Sequence, residues 1–237
     1  IFETAIKSYY ELYRQGTVKT PQEFKYQGGD LALSYKYLWS PIADKLLLAT
    51  PPTVAPNTIT VFGFVLHVIA TIILCLEVPF SEPSSPWKLF FYGFSVLTYQ
   101  MLDNLDGKQA RKLGNSTPLG MIMDHGCDAL GVVFLASGMA GSSVCNRQTS
   151  LSVRSLQFVQ FLYERLVSVP LKRNHDSRLS QGVDDGIPLI WACAFVSSFI
   201  GQAFWKIPVS IFGLSLQVNE IFIYVVMLFS VGNNSVI

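Results

Sequence analysis

Charge is what this sequence has least of. Asp, Glu, Lys and Arg make up only 14% of its residues, against about 25% in soluble globular chains. Such a shortage leaves too little polar surface for an ordinary water-soluble domain. The net charge of +1 gives no basic footprint, so nucleic acid is not expected as a partner. C-x-x-C pairs are also missing. Cys75, Cys127, Cys145 and Cys193 are scattered, and three of them fall within apolar runs, which reads as buried free thiols rather than a disulfide or zinc framework. Residues 1–24 lack the apolar core of a secretory signal, because Glu3, Lys7, Glu11, Arg14 and Lys19 are spread through them. Membrane insertion is therefore expected to depend on internal segments. The chain has no internal repeat and no low-complexity tract.

Apolar sequence is what it has most of. Hydrophobic residues are 50% of the 237, with 17 Phe and a mean hydropathy of +0.38, values that point to the membrane class. The reading is an all-α integral membrane protein, a helical bundle of about five to six transmembrane helices with an amphipathic interfacial helix at its N-terminus. Residues 1–57 are the interfacial part. In the segment DLALSYKYLWSPIADKLLLAT, Leu38, Ile42 and Leu46 recur every fourth residue, and Tyr35, Tyr37 and Trp39 are expected at headgroup depth. Pro51, Pro52 and Pro56 then break the chain. Residues 58–143 are the core, with runs from Thr58 to Phe80, Trp87 to Leu102 and Leu119 to Ala140. Residues 144–186 form a polar segment whose apolar stretch, 155–171, is interrupted by Glu164 and Arg165. Residues 187–237 hold a span from Ile187 to Trp205 and a last run from Val218 that stops short of a full crossing, an expected truncation.

Positive charge orients the spans. Six Lys or Arg precede residue 58, three more (Lys108, Arg111, Lys112) follow the second run, and only Lys88 lies between the first two runs. The positive-inside rule places both basic regions in the cytosol. The Asn115-Ser-Thr sequon falls on that side and reads as unused.

One stretch breaks the apolar pattern: residues 103–128, DNLDGKQARKLGNSTPLGMIMDHGCD. Asp103 and Asp106 are three apart and Asp124 and Asp128 four apart, so each pair shares a helix face. Aspartates at mid-bilayer cost about 2.5–3.5 kcal/mol each on insertion scales, and a single methylene cannot snorkel. Divalent cations offset that cost. Four carboxylates match the charge of two Mg²⁺ or Mn²⁺ ions, and two-metal carboxylate sites recur in phosphoryl displacement. Gly107 would let a phosphate approach the backbone, and Arg111, with Lys108 and Lys112, would add positive charge. His125 fits a general base. Taken singly, D-x-x-D-G is more often a cap or turn, His125 an interior histidine, and the lysines orientation signals. Their coincidence favours a site. An intramembrane prenyltransferase and a cation transporter are the competing readings. The G-x-x-A-R continuation argues against the first, and the lack of acids along the bilayer against the second.

The pattern D-x-x-D-G-x-x-A-R, eight residues, G-x-x-x-D-x-x-x-D resembles the signature of the CDP-alcohol phosphotransferase family. Its wording here, DNLDGKQAR, then Ser116-Thr117-Pro118-Leu119-Gly120, then DHGCD, with PNTIT at Pro56 to Thr60, is similar to the choline/ethanolamine branch. The resemblance implies transfer of phosphocholine or phosphoethanolamine from CDP-choline or CDP-ethanolamine to diacylglycerol, releasing CMP. It implies that Asp103, Asp106, Asp124 and Asp128 bind two Mg²⁺ or Mn²⁺, that Arg111 and Asn57 contact the CDP-alcohol, and that His125 takes the proton, with Asp128 in reserve. It also implies a homodimer in the endoplasmic reticulum or Golgi with its site facing the cytosol. Because members of this branch are longer, a truncated inactive homologue that pairs with a full-length enzyme is the alternative.

Overall fold

The computed structural model describes residues 35–76, 83–143, 183–211 and 214–232. Residues 1–34 of the interfacial part, the interrupted stretch 155–171 and Cys145 lie outside the described residues. A π-helical turn, Tyr35–Trp39, leads into α1, Ser40–Ala49. The long helices are α2 (Pro56–Cys75), α3 (Pro86–Lys112), α4 (Pro118–Ser142) and α5 (Val183–Ile200). A short 3₁₀ turn, Gln202–Lys206, precedes strands β1 (Pro208–Ile211) and β2 (Leu214–Gln217), and α6 follows at Val218–Gly232.

The chain is therefore mostly helical rather than all-α. Strands β1 and β2 pair antiparallel, with Val209 opposite Leu216 and Ser210 opposite Ser215. The alternation Leu214, Ser215, Leu216, Gln217 is the local signal for it. The span expected from Ile187 to Trp205 is shorter at its far end, because α5 stops at Ile200 and Gly201 adopts φ +94°. Two described helices, Pro56–Cys75 and Leu119–Ser142, are long and apolar enough to cross a membrane. The third long helix, α3, is apolar only until Leu102 and then carries the acidic motif.

Helix boundaries follow the sequence closely. Proline opens α2, α3 and α4 at the position where its missing N–H is harmless. Thr117 caps α4 by accepting from the Gly120 N–H at 3.1 Å. At the end of α3, Gly114 takes φ +63°, its N–H donates to Arg111 O, and the Asn115 N–H donates to Ala110 O. That pairing satisfies carbonyls that would otherwise be orphaned at the helix end. The K-L-G-N-S-T-P sequence thus turns the chain within five residues, Leu113 to Thr117, and sends α4 back beside α3.

Helix α2 packs against both α3 and α4, and α5 closes the far side of α3. One continuous core joins Leu74, Leu89, Tyr92, Val96, Leu135, Met139, Ile190, Ala194 and Ile223. Gly138 is its tightest point, since a Cβ there would overlap the Tyr92 ring, whose hydroxyl donates to Leu135 O at 2.9 Å. Trp39 departs from expectation: it is buried at 3% exposure rather than held among headgroups, whereas Tyr37 is 71% exposed. Cys75, Cys127 and Cys193 form no disulfide; Cys127 and Cys193 are buried as expected, whereas Cys75 is half-buried.

Candidate active site

The turn between α3 and α4 brings the two acid pairs together. One ligand atom from each of Asp103, Asp106 and Asp124 lies within 4.8 Å of the others, and the same holds for Asp124, His125 and Asp128. The two groups share Asp124. Asp106 is buried, while Asp103, Asp124, His125 and Asp128 are half-buried. Oxygen ligands about 2.1 Å from one ion stand roughly 3–4 Å apart, so this spacing suits a hard divalent cation. The four carboxylates of the two groups point the same way, since carboxylate oxygens suit Mg²⁺ and Mn²⁺.

Asp106 lies beyond the apolar run of α3, and its electrostatics show why a cation fits. Burial and then the Asp124 carboxylate, with a smaller push from Asp128, raise its pKa to about 8, against hydrogen bonds from Thr60 and the Gly107 backbone. Crowded carboxylates hold a proton tightly for the same reason they hold a metal: either one relieves their repulsion. His125 stands at the edge of the second group. Its Nδ1 is buried without a hydrogen bond and stands 3.8 Å from Asp128 Oδ2.

Around these groups the structure separates residues that the sequence placed together. The Arg111 guanidinium lies over Gly107, 3.4 Å from where a Cβ would be, and is exposed. Asn57, at the start of α2, is also exposed, with its Oδ1 3.4 Å from the Cβ position of Gly120. Gly120 thus brings the first turn of α4 beside that of α2, and the backbone N–H groups of helix N-termini favour an anion.

Lys108 and Lys112 are placed differently from the expected phosphate contacts. The Lys108 ammonium donates to Ser40 O at 2.9 Å and Ser40 Oγ at 2.8 Å, and pairs with Asp44 at 2.6 Å. The Lys112 ammonium donates to Leu47 O at 2.9 Å and Thr50 O at 3.3 Å, at the C-terminal end of α1. Helical geometry is the reason: the face of α3 that carries these lysines meets α1 and not the acids. Gln109, fully buried, continues this anchor by donating to Pro51 O at 3.0 Å and Val54 O at 3.1 Å.

Three supporting residues escaped the sequence reading. Thr60 hydrogen-bonds Asp106 Oδ2, Tyr99 donates to Asp128 Oδ1 at 2.6 Å, and Gln109 ties the α1–α2 connection. Tyr99 stands four residues before Asp103, one helical turn away, which was the one local signal available for it.

The chain belongs to the CDP-alcohol phosphatidyltransferase family, whose model matches residues 53–231. Members of that family use divalent metals, and the acid cluster could hold such ions. Among curated relatives, choline/ethanolaminephosphotransferase 1 of Arabidopsis thaliana is 30% identical over 77% of this chain and 46% of its own length. Cholinephosphotransferase 1 of Danio rerio is 30% identical over 84% of this chain and 52% of its own length. The corresponding rat protein, cholinephosphotransferase 1 of Rattus norvegicus, reaches 42% over 39% of this chain and 24% of its own length. The chain spans about half the length of the first two of these relatives.

Proposed function

We propose that the protein transfers phosphocholine or phosphoethanolamine from the corresponding CDP-alcohol to the hydroxyl of a diacylglycerol, giving phosphatidylcholine or phosphatidylethanolamine and CMP. The observation that carries this reading is the pair of overlapping ligand groups that share Asp124, built where α3 and α4 meet.

Asp103, Asp106 and Asp124 would hold one Mg²⁺ or Mn²⁺ and Asp124 and Asp128 a second. Bound there, the two ions would supply Lewis-acid stabilisation of charge on the diphosphate. The chain's own residues do the rest. Arg111 holds the nucleotide's phosphates, Asn57 contacts the CDP-alcohol, and Gly107 keeps the Arg111 side of α3 clear of a side chain. His125 takes the proton from the diacylglycerol hydroxyl. That oxygen forms the new bond to the β-phosphorus, and the bond from β-phosphorus to the bridging oxygen breaks. CMP leaves with the electron pair and needs no acid, since a phosphate monoester is already a stable anion. Positioning, neutralisation and one proton transfer suffice.

The same reading places the protein in the endoplasmic reticulum or Golgi membrane as a homodimer of chains with about five to six spans, its site facing the cytosol. The test is incorporation of labelled CDP-choline and CDP-ethanolamine into lipid in diacylglycerol-containing vesicles. Incorporation with at least one donor, dependent on Mn²⁺ or Mg²⁺ and abolished by Asp124→Asn, is expected. Folded protein that uses neither donor would overturn the proposal.

A further inference from the structure

Tyr99 lies on α3 one turn before Asp103 and is 4% exposed. Its ring is fixed from two other helices. On α2, His67 stacks against it with ring centroids 5.6 Å apart and planes 20° apart, and the Cβ position of Gly63 is 3.5 Å from its edge. On α4, a Cβ at Gly131 would stand 3.2 Å from its hydroxyl oxygen. Asp128 and Gly131 are three residues apart and share a face of α4. The missing side chain at Gly131 leaves the path by which the hydroxyl reaches Asp128.

At 2.6 Å to Asp128 Oδ1, the contact has the length of a hydroxyl donating to a carboxylate, a strong class of hydrogen bond. The other oxygen, Oδ2, is the one turned toward His125 Nδ1. An aspartate without such a donor rotates about its terminal torsion and presents either oxygen.

We propose that Tyr99 is a positioning residue of the active site. It fixes Asp128 through Oδ1, so that Oδ2 stays aligned with Asp124 and His125 in the second ligand group, and Gly131 is the opening that makes this contact sterically available. The proposal rests on the metal-dependent reading given above. Tyr99 touches neither substrate nor the reacting atoms; its effect passes through Asp128. Hydrogen-bond partners of metal ligands typically change metal affinity roughly 10–100-fold when removed, and this sets the size of the effect.

The test is direct Mn²⁺ binding to the full chain in detergent, followed by electron paramagnetic resonance of the free ion, with no substrate present. Tyr99→Phe keeps the stacked ring and removes only the hydroxyl. Its Mn²⁺ affinity is expected to fall roughly 10–100-fold, with the metal-free protein still folded and unfolding cooperatively. Turnover should fall while KM for the CDP-alcohol stays near that of the unaltered protein, a split that a general loss of packing would not give. Gly131→Ala, which retains the tyrosine but crowds its hydroxyl, should weaken Mn²⁺ binding in the same direction. Unaltered Mn²⁺ affinity in Tyr99→Phe overturns the proposal. Asp124→Asn, run in parallel, separates the two levels. If it too binds Mn²⁺ normally, the metal-site reading itself fails; if it loses the ion while Tyr99→Phe keeps it, only the role of Tyr99 fails.

Discussion

Asp106 is the residue on which the electrostatics of the site converge. Its folded-state pKa is raised to about 8, by burial and then by Asp124, whereas the unfolded chain titrates in the usual carboxylate range. The metal-free folded state therefore holds a proton that the unfolded state releases much earlier. By linkage, this group's contribution to stability is present in full at low pH and is lost as pH rises through about 8. Metal-free protein should accordingly lose thermal stability as pH rises toward that value, and saturating Mn²⁺ should remove the loss by replacing the proton. Melting temperatures from pH 5 to 9, with and without Mn²⁺, check this; parallel pH dependence in both would contradict it. Thr60 acts on the same carboxylate. Thr60→Val keeps the shape, removes the donor to Asp106 Oδ2, and should weaken Mn²⁺ binding roughly tenfold or more, read by titration of the ion.

At the scale of elements, the motif has two working sides. One face of α3 carries the acids, and the residues between them, Lys108, Gln109 and Lys112, hold α1 and the connection into α2. Since Asn57 sits at the end of that connection, the anchor sets where the proposed CDP-alcohol contact stands. Gln109→Leu removes the donors to Pro51 O and Val54 O, leaving two carbonyls to find new partners at a cost of about 1–3 kcal/mol. KM for the CDP-alcohol should rise several-fold with turnover less affected; a variant with unaltered KM and normal stability would remove the anchor from the account. Much of this was legible. The apolar runs located α3 and α4, the spacing of the aspartates put each pair on one face, and the charge count suggested that the two pairs share metals. The division of labour within DGKQAR was not legible, because a lysine reads alike whether it meets a phosphate or the carbonyls of another helix. Trp39 was misplaced for a related reason. Amphipathic spacing identifies a helix with two faces, but which face meets protein is decided by α3, distant in sequence. The β1–β2 hairpin was missed because its strands are only four residues each, too short for periodicity to stand out between two apolar runs.

For the whole molecule, the proposed function depends on where the site lies along the membrane normal. In the proposed reaction a water-soluble CDP-alcohol and a membrane-bound diacylglycerol meet only near an interface, and the polar end of α3 would supply one. That helix has 27 residues, about 40 Å at 1.5 Å per residue, enough to cross the hydrocarbon core with its last turns outside it. Its first turn holds Trp87, 59% exposed, and its last turn Lys112, also exposed. If α3 crosses, these two positions lie on opposite sides. By the positive-inside rule, the basic residues near Lys112 predict that this end faces the cytosol. In a cysteine-free background, sealed microsomes with the cytosolic face outward should let a membrane-impermeant maleimide label Lys112→Cys without detergent. Trp87→Cys should be labelled only after the membrane is opened. Lys112 should be chosen over any aspartate as the reporter, because its contacts are with α1 carbonyls and the acid cluster is left intact. Labelling of both positions from one side would mean that α3 does not cross, and the acids would then have to reach diacylglycerol from a helix lying along the surface. Labelling of Trp87→Cys alone would invert the protein, placing the site in a compartment away from cytosolic CDP-alcohols. Only the first pattern lets α2, α3 and α4 present one site to both substrates at once.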